Sequence, residues 1–139
     1  MGAQAQAAFS VKSWDENTWD GRPSKEVNGA KLTRAAVTYT YTGAITGESA
    51  LEYLMSYNAD GTTGSFVALE LVSGSVDGKA GSFVLLHNGT FDATSVSATV
   101  AVAPGSGTGA LTGLRGTGAI QLAGHQESYP FTLEYDLDA

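Results

Sequence analysis

Glu70 and His87 are the residues of this chain whose types and spacing point most directly to chemistry. Apolar surroundings raise the pKa of a carboxyl group and an adjacent imidazolium lowers it, so such a pair can be poised near neutrality to move one proton. The two share a sheet face if Asp77-Gly78 centres a two-residue hairpin, which sets Val76 opposite Lys79 and Glu70 opposite Leu85, diagonal to His87. A four-residue loop would oppose Glu70 and His87 directly, and only a bulge or an odd loop would separate them. The same face carries Phe66, Ala68, Val72, Phe83, Leu85 and Phe91. Placing Asn58 opposite Ser65 adds Leu51, Tyr53, Met55 and Tyr57. Inside a barrel this apolar, aromatic surface is a lumen wall. Glu70 and His87 are therefore the expected catalytic pair. Tyr53, Met55, Tyr57, Phe66, Phe83, Leu85 and Phe91 are the expected ligand contacts, with Tyr53 and Tyr57 orienting a carbonyl or enol oxygen. The bland alternative for the pair is a satisfied buried hydrogen bond with no chemistry attached.

Other motifs give little. Gly105-Ser106-Gly107-Thr108-Gly109 has no following Lys-Ser/Thr, and the next glycine after Gly107-x-Gly109 is Gly113, one residue late for a dinucleotide fingerprint. A tight turn needing positive φ is the better reading. No Gly-x-Ser-x-Gly elbow occurs. The chain has no Cys and two histidines, His87 and His125, in unrelated stretches, so neither a thiolate nor a histidine metal centre is expected, and no cofactor motif is found. Trp14 reads as packing, Asp15 or Glu16 as a rim or turn residue, and Arg34 and Arg115 as ion-paired scaffolding.

The elements that must position these residues are strands. Lys31 to Thr42 alternates Thr, Val and Tyr with no helical period, and similar stretches run over 9–14, 48–58, 65–75, 82–91, 95–103, 116–123 and 129–137. Turn signals at Asn28-Gly29, Asp60-Gly61, Asp77-Gly78 and the glycine cluster from Gly105 to Gly118 punctuate them. About eight meandering antiparallel strands with no Pro-protected edges favour closure into a barrel, which removes edges altogether. The whole chain, 1–139, reads as one all-β domain, and 139 residues suffice to bury a core without staples.

The charge is asymmetric. The net charge is -7, and after Arg34 only Lys79 and Arg115 stand against ten acids, which makes duplex nucleic acid a poor partner. No apolar run approaches the ~18 residues of a membrane helix, and the N-terminus lacks the basic start and apolar run of a signal peptide, so a cytoplasmic location is expected. Gln6 stands where a myristoylation signal needs Ser or Thr.

Several segments together resemble a known family. They are Trp14-Asp15-Glu16, Lys31-Leu32-Thr33-Arg34, Tyr41-Thr42-Gly43-Ala44-Ile45-Thr46-Gly47-Glu48-Ser49, Glu70 with Asp77-Gly78 and Gly81-Ser82-Phe83, His87 with Gly89, and Pro104-Gly105-Ser106-Gly107-Thr108-Gly109 before Leu114-Arg115-Gly116. Over nearly its whole length the chain resembles the bacterial domain-of-unknown-function family thirty-two twenty-four. The resemblance implies an allene oxide cyclase-like barrel, a small eight-stranded antiparallel cup. It also implies that a strand runs through Asn88-Gly89, with a bulge at Gly89. It brings no function, because the fold's relatives range from an oxylipin cyclase to dirigent proteins and spirotetronate polyketide cyclases.

Leu54, Val67, Leu69, Leu71, Val84 and Leu86 project from the opposite face, and a solvated exterior should not gather so many aliphatic residues. Either a partner subunit covers them, giving a homodimer or homotrimer, or the faces are reversed and Glu70 and His87 lie outside. The leading functional expectation is a barrel that binds an apolar polyketide, polyene or oxidised lipid and isomerises or cyclises it without a cofactor. The rivals are a carrier of such a ligand and a structural barrel whose lumen is filled by its own side chains.

Overall fold

The computed structural model describes residues 2–124 and 126–137. Met1 and His125, the second histidine considered for a metal site, lie outside them. Eight strands follow one another round a closed antiparallel barrel: β1 (Ala3–Thr18), β2 (Lys31–Gly43), β3 (Ile45–Tyr57), β4 (Gly64–Val76), β5 (Lys79–Phe91), β6 (Ser95–Val102), β7 (Leu114–Ala123) and β8 (Tyr129–Leu137). Burial alternates strictly along β3 and the first part of β4, so one side chain in two faces the lumen. The core is therefore the barrel interior, with Phe9, Leu51, Phe83, Leu85 and Leu133 all fully buried. Among the described residues the only helical pieces are 3-10 turns at Ser24–Glu26 and Gly109–Leu111.

The Asp77-Gly78 turn has positive φ at both residues (49° and 82°), the requirement of a type I′ hairpin, and pairs Val76 with Lys79. Glu70 accordingly faces Leu85, as the spacing predicts. Between β3 and β4 the register differs from the expected one: Tyr57, not Asn58, is the last paired residue, opposite Gly64. Asp60 holds the six-residue loop 58–63 by accepting the backbone N–H groups of Thr62 and Thr63. The shift is an even number of residues, so every side chain keeps its face. The β5 ladder passes through Gly89 opposite Phe66 without a shift, which corrects the expected bulge there.

The bulge lies in β1 instead, at Lys12 between Val11 and Ser13. Before it the odd residues Ala5 and Phe9 face inward; after it the even residues Trp14, Glu16 and Thr18 oppose the inward Val37, Ala35 and Thr33. β1 also starts earlier than its composition suggests. Ala and Gln are weak strand formers, but Ala3 to Phe9 pair with β8 and thereby close the barrel.

The two ends differ. The segment 103–113 crosses the lower end, where Val84 N–H donates to Ser106 Oγ (3.0 Å), Thr108 N–H donates to the Ser82 carbonyl (2.9 Å), and Leu111 is fully buried. Among the described residues no such plug covers the upper end. There β1 continues past its last β8 partner, Phe9 opposite Tyr129, until Asn17 bridges to Pro23. From Ser10 to Glu16 the wall is left with a seam. No helix among the described residues is long and apolar enough to cross a membrane.

Candidate functional site

Two polar systems and one cavity occupy the lumen. The lower system centres on Glu70, which is fully buried. Tyr41 and Ser49 donate their hydroxyl protons to its Oε2 at 2.6 and 2.7 Å, and His87 Nε2 lies 2.7 Å from Oε1. With Glu70 as the carboxylate, Oε1 is the acceptor of this contact and His87 donates to it from Nε2. These three donors offset the desolvation of the carboxylate, and no buried side-chain N or O among the described residues lacks a partner. Burial, then the charge of Glu70, push the Tyr41 phenol far above its usual range, so it remains a donor.

Above this network, Tyr39 and Tyr53 join hydroxyl to hydroxyl at 2.6 Å. One O–H donates to the other oxygen, and the second proton has no acceptor among the described residues. Burial raises both phenols, so both stay protonated at neutral pH. The Tyr53 ring lies 6.2 Å from that of His87, and this tyrosine layer separates Glu70 from the space above.

That space is a cavity of about 570 Å³, of the size that takes a drug-like or terpenoid-sized molecule. Tyr39, Tyr53, Met55 and Phe66 line its inner part, Trp14, Tyr57 and Phe91 its rim. Val11 and Trp14, 43% and 46% exposed, form one lip of the seam, so the cavity opens through the barrel wall there. Asp92, Gln126, Glu127 and Tyr129 also line the cavity, from beyond β5 and ahead of and within β8. Gly64 leaves room for the Phe91 ring: a Cβ there would stand 2.6 Å from Phe91 Cζ and 2.2 Å from the Ser56 carbonyl oxygen.

The β1 bulge builds the rim. It points Glu16 inward, where Tyr57 (2.5 Å) and Thr33 (2.7 Å) donate to Oε2, Ser24 adds a longer bond, and Trp14 Nε1–H donates to Oε1 at 3.0 Å. Burial alone would raise the Glu16 carboxyl, but these hydrogen bonds outweigh it and hold the group below its ordinary range. Lys31, directly opposite Tyr57, closes the latch, its ammonium 4.5 Å over the Tyr57 ring and bonded to the Ser24 and Val27 carbonyls.

Several expectations are relocated by this geometry. Glu70 and His87 point inward and meet, yet neither lines the cavity. Tyr53, Met55, Tyr57, Phe66 and Phe91 line it. Phe83 and Leu85 do not; both are 1% exposed in the lower core, packed away by the segment that closes that end. Arg34 pairs with Glu52 at 2.7 Å on the exterior. The aliphatic face is outside, with Leu54, Val67, Leu69, Leu71 and Leu86 between 41% and 56% exposed, so the faces are not reversed. Tyr39, Tyr41 and Ser49 join the site without being among the expected site residues: Ser49 shares the parity of Leu51 and Tyr53 on β3, and carrying that parity across the Gly43-Ala44 turn reaches Tyr39 and Tyr41. Phe9, Val11 and Tyr129 come from strands whose register depends on a bulge and on closure.

The fold and site define a class: a closed eight-stranded antiparallel barrel, plugged at one end, with an aromatic cavity at the other. Within it the chain belongs to the family described as protein of unknown function (DUF3224), whose model matches residues 5–135. It is similar to the crystal structure of a protein of unknown function from that family, from Shewanella oneidensis MR-1, with 28% identity, complete coverage of both chains and a TM-score of 0.81. No curated protein matches it.

Proposed function

We propose that the protein binds an apolar, ring-bearing small molecule in the upper cavity and holds an oxygen of that ligand on the Tyr39–Tyr53 pair. The observation that carries this reading is the O–H proton of two buried tyrosines that has no acceptor among the described residues, in a cavity otherwise walled largely by aromatic rings. Apolar burial supplies the affinity and one donor fixes the orientation. Glu70 and His87 act as positioning residues, holding Tyr41 and, through ring packing, Tyr53. The test is titration with a neutral fluorescent arylamine such as N-phenyl-1-naphthylamine. One saturable site is expected, and Val11→Trp or Met55→Trp, which fill the cavity, should weaken it at least about tenfold. Unchanged binding in both variants would remove the reading.

The same donor favours a second reading, a cofactor-independent isomerase or cyclase. An O–H fixed in a water-poor cavity polarises a carbonyl, and an enclosing wall restricts a flexible chain to a reactive conformer. This reading differs from a carrier in requiring turnover.

The exterior of β3 to β5 seats a second copy of the chain in this account. Leu54 beside Val67, Leu69 beside Leu86 and Leu71 beside Val84 form an aliphatic face, with Glu52 of β3 opposite Leu69 at its margin. It is flanked by a base and an acid, Arg34 and Glu52, whose opposite signs suit a two-fold contact of the patch with itself. Light scattering at about 50 µM should give about twice the chain mass of 14.3 kDa, and Leu69→Lys should return it to one. A monomeric parent protein would contradict this.

A further inference from the structure

The acidic side of the cavity mouth narrows the ligand class, and the inference rests on the cavity-binding reading above. Among the described residues lining the cavity there is no Lys, Arg or His, whereas Asp92 and Glu127 both line it. Asp92 is a fixed anion. Its Oδ1 accepts the backbone N–H groups of Thr94 and Ser95, both at 2.8 Å, and its Oδ2 accepts Ser95 Oγ–H at 3.0 Å. Those bonds, the Thr94 backbone first, hold its carboxyl below the ordinary range, so the group is charged at neutral pH. Close by, the aromatic side chains of Tyr129 and Phe91 line the cavity, and Trp14 stands half-exposed on the seam.

Aromatic rings attract cations through their negative faces, and the attraction is strongest where water is partly excluded. Tyr57 already holds one ammonium, that of Lys31, 4.5 Å from its ring centre. Lys31 is committed there by two backbone carbonyls and leaves the cavity side without a base among the described lining residues. Beyond Arg34 the chain carries ten acids against two bases, so its field also draws cations.

We infer that the ligand of the upper cavity is an amphipathic cation, an apolar or aromatic body bearing an amine or quaternary ammonium, lying with its body against the Tyr39–Tyr53 layer and its charge at the mouth between Asp92 and Glu127. The neutral donor at the floor and the anions at the mouth give the ligand a direction: an acceptor or bare ring goes in first and the cation stays at the seam.

The experiment uses three probes with one aromatic body, naphthalene carrying a trimethylammoniomethyl, a hydroxymethyl or a carboxymethyl group. Each displaces N-phenyl-1-naphthylamine from the full chain. At about 20 mM salt the cation should bind at least about tenfold tighter than the anion, and the ratio should shrink at about 0.5 M salt. Glu127→Gln alone should lower the ratio, and Asp92→Asn with Glu127→Gln should bring it to about one. Asparagine keeps an oxygen for the two backbone N–H groups, and Glu127 is exposed, so both variants should fold. A cation that binds no tighter than the anion, while the neutral probe binds, overturns the cationic class and leaves the cavity reading standing. Failure of all three, and of the fluorescent probe, overturns both.

Discussion

Glu70→Ala should come close to unfolding the barrel, with a loss of about 4–6 kcal/mol in urea melts. The substitution removes the acceptor of Tyr41, Ser49 and His87 at once and leaves three buried donors in a space no larger than a carboxymethyl group. Each unsatisfied donor costs about 1–3 kcal/mol, against a total stability of about 5–15 kcal/mol for a domain of this size. Glu70→Gln keeps the volume and one acceptor oxygen but turns an N–H₂ toward a donor, so about 2 kcal/mol is expected. A Glu70→Ala protein within about 1 kcal/mol of the parent would show that the network is dispensable to the fold, against the positioning role assigned to it.

Phe83→Ala should cost about 3–5 kcal/mol and leave the affinity for the neutral arylamine within about twofold. Phe83 is 1% exposed in the closed lower half, opposite the fully buried Val72, so its removal opens a void that its neighbours can only partly fill. The upper cavity, walled by Tyr53, Phe66 and Phe91, is untouched. Loss of arylamine binding in a Phe83→Ala protein that still melts cooperatively would mean that the ligand reaches the lower lumen.

These two residues mark how far the sequence could be read. The Asp77-Gly78 hairpin is short and of one defined type, so parity alone carried Glu70 and His87 to one face and Leu69 and Leu86 to the other. Parity says which side of a wall a residue is on, but not how high it stands in a tilted barrel or what closes each end. Phe83 and Phe66 share a face and differ only in height, and the segment around Leu111 decides that one is core and the other cavity wall. Glu16 illustrates a second limit. Its inward aim depends on a bulge at Lys12, and nothing in Val11-Lys12-Ser13 announces one. Trp14-Asp15-Glu16 drew attention through the family resemblance, and the latch to Tyr57, Thr33 and Ser24 supplies the physical reason. The tyrosine layer was legible in principle, but Tyr39 meets Tyr53 only through the register of the Gly43-Ala44 turn.

A crystal structure with a bound aromatic ketone tests the central claim most directly. The account predicts the ketone in the upper cavity, its ring among Trp14, Tyr57 and Phe91, and its oxygen about 3 Å from the hydroxyl of Tyr39 or Tyr53. A ketone bound only on the exterior face of β3 to β5, or a cavity still empty at saturating ligand, would contradict it.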